Sequence, residues 1–276
     1  MKNVLFWIDP QRDFVDEGGA LRVPHADEDT MRMCNRIEVK PSTFDEIVLS
    51  ADDHPCTHIS HPGWFMNPED ASSPPPFTQI QYVLRRDQPF EDSNGAKYDS
   101  VADLNHTWTR FYIEAMEAKG HPHIIWPEHC IAGTLGAAFS AHVNLEPWEH
   151  CHRNSIKRPR IVRKGQCPFV EQHGIFGPEV MHPDFPKETG FNWELMMFLS
   201  QFEVIFVAGQ ASTHCVPASV YPMVDFFYKN RYKVGKIVLL KDAMSPVPGF
   251  EQQEESFFTA MQGYGGFVEI AKTTEI

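Results

Sequence analysis

The sequence predicts an α/β fold: a three-layer α/β/α sandwich on a mainly parallel central sheet, with one insertion. Three observations carry this. Short, almost continuously apolar runs recur along the 276 residues, helix-like stretches separate them, and polar residues stand just past several of the runs. Continuous apolar runs suit strands buried on both faces of a parallel sheet, and strand–helix alternation implies right-handed crossovers. In such sheets ligands collect at the carboxyl ends of the strands.

Strands are expected over 3–8, 47–51, 123–126, 161–163, 204–208, 236–240 and 267–271. Helices are expected over about 27–37, 193–202, 215–230 and 251–262. In the third helix, Pro217 fits a first turn, where a missing N–H costs nothing, whereas Pro222 is expected to kink or split it. Residues 62–121 read differently. Ser73-Pro74-Pro75-Pro76 opens a polar, aromatic-dotted stretch with few strand signals and one helix around 101–119. The whole of 1–276 reads as a single domain, with 62–121 as a lid or as the contact of a homo-oligomer.

Composition narrows the function classes. An apolar share of 42% beside 22% charged residues is that of a soluble globular chain. A net charge of −13 without any Lys/Arg cluster argues against a nucleic-acid or anionic-membrane partner. The first apolar run is too short for a signal peptide, and no run approaches the ~18 residues of a membrane span. The six cysteines form no CxxC pair and read as free thiols in a reducing compartment, so a cytoplasmic protein is expected.

The chemistry-bearing residues follow the strand ends. The run Val204-Ile205-Phe206-Val207-Ala208 stops at Gly209-Gln210-Ala211-Ser212-Thr213-His214-Cys215, where a helix-like stretch begins. A thiol at a helix N-terminus meets unpaired N–H groups and a partial positive charge, which favour thiolate. The N–H groups of Ala211 and Cys215, aimed at one point, would form an oxyanion hole. Asp9 ends the first strand, beside Gln11, Asp13 and Phe14, and could move the thiol proton to a leaving amine. Lys164 ends Ile161-Val162-Arg163 and could hold both anions. Each also has a plain reading: an inert buried thiol, a capping carboxylate, a solvated lysine.

A second constellation suits a metal. Asp52 and His54 project to one side of an extended segment, so a carboxylate and an imidazole can share one ion, with His129 as a third ligand. His58 and His61 lie close enough to contribute. With fourteen histidines, two loops of satisfied imidazoles are the alternative. Trp126 and Phe14 could line a pocket for a flat ring or belong to the core.

Taken in order, these residues resemble the nicotinamidase branch of the isochorismatase-like cysteine hydrolases. The resemblance rests on Asp9-Pro10-Gln11-Arg12-Asp13-Phe14, Asp52-Asp53-His54-Pro55, Trp126-Pro127-Glu128-His129-Cys130, Lys164-Gly165 and Gly209-Gln210-Ala211-Ser212-Thr213-His214-Cys215. It runs from the first residues to about residue 243. It implies a triad of Asp9, Lys164 and Cys215, and a zinc, iron or manganese ion on Asp52, His54 and His129. Phe14 and Trp126 would sandwich a substrate ring, with Gln11 beside it, and Gln210–Ala211 would be a cis peptide. The implied activity is hydrolysis of nicotinamide, a small-molecule amide, in NAD salvage. Asp53 departs from an aromatic residue usual in the family, Ser212-Thr213 from a threonine at the first position, and the 62–121 segment is longer than its equivalent. Competing readings are another superfamily amidase (of pyrazinamide-, maleamate- or carbamoyl-type substrates) and a non-catalytic metal-binding module.

Overall fold

Strand alternation divides two apolar cores between the two faces of one parallel sheet. The computed structural model describes residues 2–81, 90–102, 107–230 and 232–276. Its strands are β1 (Asn3–Ile8), β2 (Glu46–Asp52), β3 (Phe65–Met66), β4 (Gln79–Gln81), β5 (Phe90–Asp92), β6 (Lys97–Ser100), β7 (His123–Ile124), β8 (Arg160–Lys164), β9 (Val204–Gly209), β10 (Lys236–Leu240) and β11 (Val268–Ala271). The larger sheet has the order β11-β10-β9-β1-β2-β8 and every pairing in it is parallel.

Val4, Phe6, Ile8, Ile205, Val207, Ile237 and Leu239 pack on one face against the helices Trp193–Leu199, Cys215–Asn230 and Glu251–Gln262. Leu5, Trp7, Phe206, Ala208, Val238 and Leu240 pack on the other, against the helix Ala26–Val39 and Trp148. Period-two alternation therefore serves both helical layers at once.

The segment 123–126 departs from expectation. Only His123–Ile124 is a strand, and it lies in a second, antiparallel sheet of order β3-β6-β5-β4-β7, paired with β4. Pro122 and Pro127 bracket it and bar an N–H ladder on either side. The insertion thus contains four strands that sequence signals did not announce. At two to four residues each, they are too short and too polar to show a period. Its helix spans Thr107–Ala118, and residues 103–106 of the expected helix lie outside the described residues.

Pro222 does not split its helix, which runs from Cys215 to Asn230 with the proline inside. Pro222 cannot donate to the Ala218 carbonyl. Gly174 packs against that oxygen, so closely that a Cβ on it would stand 2.6 Å away. Among the described residues no helix is long and apolar enough to cross a membrane.

Candidate active site

The chain reverses direction across the sheet at β1, which has β2 on one side and β9 on the other. That is a topological switch point, where carboxyl ends of strands open a crevice. Asp9 follows β1, Asp52 ends β2, Lys164 ends β8 and Cys215 follows the turn after β9. Register brings them level: Ile8 pairs with Gly209 and Asp52 with Lys164. Gly209 has φ +118, and a Cβ there would lie 1.9 Å from the Ile8 carbonyl oxygen, so only glycine lets the turn leave the sheet at this point.

Lys164 is fully buried and joins the group together. Its Nζ lies 3.0 Å from Asp9 Oδ2 and 3.5 Å from Cys215 Sγ, and it also bonds Asp52 Oδ1. Burial alone would lower the Lys164 ammonium, but Asp52 and Asp9 outweigh it and hold it well above its ordinary range. Burial would raise Asp52; Lys164 and His54 prevail and keep it well below the usual carboxylate range. Asp9 goes the other way. Burial raises it more than Lys164 lowers it, although the Ser50 hydroxyl donates to Asp9 Oδ1 at 2.6 Å.

Cys215 does not match the ready-made thiolate that its helix-start position suggests. Burial pushes its thiol well above the ordinary value, with Asp9 and Asp52 adding to the rise and only Lys164 opposing it. The resting pair is therefore a thiol beside a carboxylate that can take its proton. Cys215 opens its helix, so its N–H has no acceptor within the helix. The Gln210–Ala211 peptide is cis. Its turn is pinned by Gln210, whose Nε2 donates to Asp29 Oδ2 (2.9 Å), and by Ser212, whose hydroxyl donates to Glu254 Oε1 (2.7 Å).

Three imidazoles stand beside this group. Ring nitrogens of His54, His61 and His129 lie within 4.8 Å of one another, all buried. His54 Nδ1–H donates to the Gly165 carbonyl (3.1 Å) and His129 Nδ1–H to the Pro127 carbonyl (2.7 Å), which leaves each Nε2 lone pair for a ligand role. Neither nitrogen of His61 has a partner, nor has His54 Nε2. Asp52 Oδ2 is 3.7 Å from His54 Nε2.

Burial lowers His129 to about 4, helped by His54, and lowers His61 to about 2, helped by His58, so both rings are neutral at physiological pH. Together with the unpaired His54 Nε2 and the Asp52 carboxylate, these two neutral rings form a donor set that fits zinc, iron or manganese. His58 is not in this set: Nε2 donates to the Val170 carbonyl and Nδ1 accepts from Ser60 N–H. Of the two histidines left open by sequence, His61 joins the cluster.

Gly165 has φ +73, and its bare Cα lets His54 approach; a Cβ would be 2.5 Å from the ring. Asp13 accepts from the N–H of Cys130 (2.7 Å) and so fixes the segment carrying His129. Gln11 lies outside the pocket wall. Its side-chain amide bonds the N–H and carbonyl of Asp52 and the carbonyl of Ala137, which ties β1 to β2 and leaves no group for a ligand. Asp53 turns away, held by Gln166 and Arg163.

Phe14, Trp126, Ala211 and Cys215 line a small space of about 30 Å³, with Asp52 and His129 at its wall. Sequence reading missed Ser50 and the polar residues Glu171, His173 and His214 that complete this wall. Ser50 carried a signal: it is the lone hydroxyl in an apolar run and shares the face of Asp52.

No family model matches the chain, and no curated protein matches it. Solved structures do. A nicotinamidase–pyrazinamidase of Acinetobacter baumanii is 21% identical with a TM-score of 0.62, over 99% of this chain and 97% of that one. The yeast nicotinamidase bound to the inhibitor nicotinaldehyde is 16% identical with a TM-score of 0.62, over 98% and 99%. A Pyrococcus horikoshii pyrazinamidase in complex with zinc is 20% identical with a TM-score of 0.56, over 99% of each chain. This chain has the isochorismatase-like α/β fold that these nicotinamidases and pyrazinamidases share.

Proposed function

We propose that the protein is a metal-dependent cysteine amidohydrolase that converts nicotinamide and water to nicotinate and ammonia, serving NAD salvage in the cytoplasm. The observation that carries this reading is the convergence of Asp9 and Cys215 on one buried ammonium, Lys164, with Cys215 Sγ 3.5 Å from it. The folds of nicotinamidases support the choice of substrate.

Asp9 takes the thiol proton as Cys215 Sγ bonds to the carboxamide carbon. The N–H groups of Ala211 and Cys215 receive the oxyanion. Asp9 then returns the proton to the departing nitrogen, ammonia leaves, and the acyl group stays on Cys215 as a thioester. In the second half Asp9 deprotonates water, and the acid is released with the thiol restored. Throughout, Lys164 keeps Asp9 and Asp52 oriented and its fixed charge steadies the sulfur anion. Asp52, His54, His61 and His129 would hold a divalent metal, which would supply Lewis-acid binding for a substrate nitrogen and for water. Phe14 and Trp126 bound the pocket that holds the acyl group.

The experiment is ammonia release from nicotinamide, pyrazinamide, a maleamate-type acyclic amide and an N-carbamoyl compound, each with and without a chelator. The reading predicts cleavage of the two heteroaromatic amides, loss with chelator, and recovery on adding zinc or manganese. Preferential cleavage of the acyclic or carbamoyl compound, or chelator-insensitive turnover, contradicts it.

A further inference from the structure

Ala211, whose N–H is one of the two oxyanion donors of the proposed mechanism, stands between two residues that are anchored elsewhere. Before it, Gln210 is buried and its side-chain amide is spent at both ends. Nε2 donates to Asp29 Oδ2 (2.9 Å), and Oε1 accepts from the Ser245 N–H (3.2 Å). After it, the Ser212 N–H donates to the carbonyl of the same Ser245 (2.9 Å). The Gln210 N–H donates to the Ile8 carbonyl at the end of β1 (2.9 Å).

The Gln210 amide has one orientation open to it. A carboxylate only accepts and a backbone N–H only donates, so turning the amide over would set donor against donor at Ser245 and acceptor against acceptor at Asp29. Asp29 is itself held. It lies on the helix Ala26–Val39, across the sheet from the helix that carries Cys215, and is 3% exposed. Its Oδ1 accepts from Arg32 Nη1 (2.9 Å), which also donates to the Asp242 carbonyl (3.1 Å) just upstream of Ser245. Asp29, Gln210, Ser245 and Arg32 thus close a ring that ties the turn to the opposite helical layer. As a helix ion pair alone, Asp29 would gain little from an Arg32 side chain that is 40% exposed, against the cost of burying a carboxylate. Its buried partner is Gln210.

We propose that Asp29 is a positioning residue for the oxyanion hole: through Gln210 it fixes the direction of the Ala211 N–H. It is not among the residues that line the space at Cys215. The assignment rests on the amidohydrolase reading above and deepens it, since it places a determinant of the acylation rate in the helical layer opposite the nucleophile. Without the Asp29 acceptor the Gln210 amide turns, the peptide after it follows, and the Ala211 N–H misses the oxyanion while the amide still binds. The loss falls on the tetrahedral state, so kcat drops and KM holds.

The test uses the wild type, Asp29→Leu, Asp29→Asn, Gln210→Leu and the double variant Asp29→Leu/Gln210→Leu. Calorimetry gives each a Kd for pyridine-3-carbaldehyde and for nicotinate, and kcat is counted per nicotinate-binding site. The aldehyde reads the oxyanion hole without turnover. Cys215 Sγ bonds to its carbonyl carbon, the C=O π pair moves to oxygen, and the thiol proton passes through Asp9 to that oxygen, giving a hemithioacetal. Nicotinate enters the same pocket and forms no such adduct.

Losing a whole oxyanion donor costs about 100-fold or more, so a misaimed one in Asp29→Leu weakens the aldehyde about tenfold or more and lowers kcat in step, with nicotinate Kd and KM within about threefold. Asp29→Asn recovers most of this, because one oxygen still accepts from Gln210 while Arg32 swings to solvent. Gln210→Leu removes the same bond from the other end and shows the same aldehyde-specific loss, which keeps the proposal testable where Asp29→Leu does not fold. In that background Asp29→Leu adds nothing, whereas a general loss of packing would add in full. Equal weakening of aldehyde and nicotinate, an aldehyde affinity unmoved in Asp29→Leu or Gln210→Leu, or full additivity in the double variant overturns the proposal. An aldehyde-specific loss in a protein whose wild type releases no ammonia from nicotinamide would fail the amidase reading alone. Wild-type ammonia release with aldehyde binding indifferent to Asp29 would fail the positioning role alone.

Discussion

Asp9 sits between two opposing influences, and Ser50 is the small one that can be removed cleanly. Because the Asp9 carboxyl is raised above its ordinary value of 3.8, its proton-accepting form is lost as pH falls through that raised value. The acid limb of kcat/KM should therefore lie above the ordinary carboxylate range. The Ser50 hydroxyl lowers Asp9, so Ser50→Ala should move the acid limb to still higher pH and reduce turnover near it. A hydrogen bond to a charged group is worth about 1.5–3 kcal/mol, enough for a visible displacement. A pH–rate profile of the two proteins checks this, and an unmoved limb contradicts it. Asp9 and Lys164 were legible in sequence because each follows a clear apolar run, and Cys215 because a helix-like stretch opens at it after the Gly209 turn. His173 and Glu171 were not, because they sit in the loop 165–180 with no period to place them. Gln11 misled for the opposite reason: its neighbours are functional, while its own amide is spent on the backbone of Asp52.

The helix Cys215–Asn230 carries the nucleophile and is the element on which the sequence was most nearly right and most instructively incomplete. Its bounds follow from an apolar stripe that packs on the sheet. What the pattern did not show is how a proline can sit inside. The Ala218 carbonyl, to which Pro222 cannot donate, lies against Gly174, where only a residue without a side chain fits, a contact between segments more than forty residues apart. Gly174→Ala places a methyl 2.6 Å from that oxygen, and the contact is with backbone that cannot rotate away. Crowding of this kind costs about 1–3 kcal/mol, and at about 2–4 °C per kcal/mol the melting temperature should fall by several degrees. Thermal denaturation followed by circular dichroism measures it, and an unchanged midpoint would show that the contact relaxes freely. The short strands β3 to β6 failed to register because alternation needs more than two to four residues to become a pattern.

At the scale of the molecule, the 62–121 segment is part of the body rather than a flap. Trp64, Phe65, Ile80, Phe90, Tyr98, Tyr112 and Ile113 share a core with Cys167, Val170 and Val180, which lie in the segment that follows Lys164. Residues on both sides of the insertion therefore bury one another, and the segment also supplies Met116, Gly120 and His121 to the wall of a cavity that Trp126 lines. Unfolding should be one cooperative transition: far-ultraviolet dichroism and tryptophan fluorescence, the latter including Trp64 and Trp108 of the insertion, should give coincident urea curves. Two separated transitions would mark the insertion as an independent unit. Parallel-sheet strands and the residues at their ends could be read from composition, because burial on both faces leaves long apolar runs. The insertion's architecture could not, because its stability comes from contacts distant in sequence.

The measurement closest to the central claim is ammonia release from nicotinamide by the wild type and by Cys215→Ala, assayed side by side with folding checked by circular dichroism. The account predicts release by the wild type and a loss of about ten-thousand-fold or more once the sulfur is gone, since Asp9 and Lys164 alone form no acyl intermediate. A folded Cys215→Ala protein that releases ammonia at the wild-type rate would contradict it.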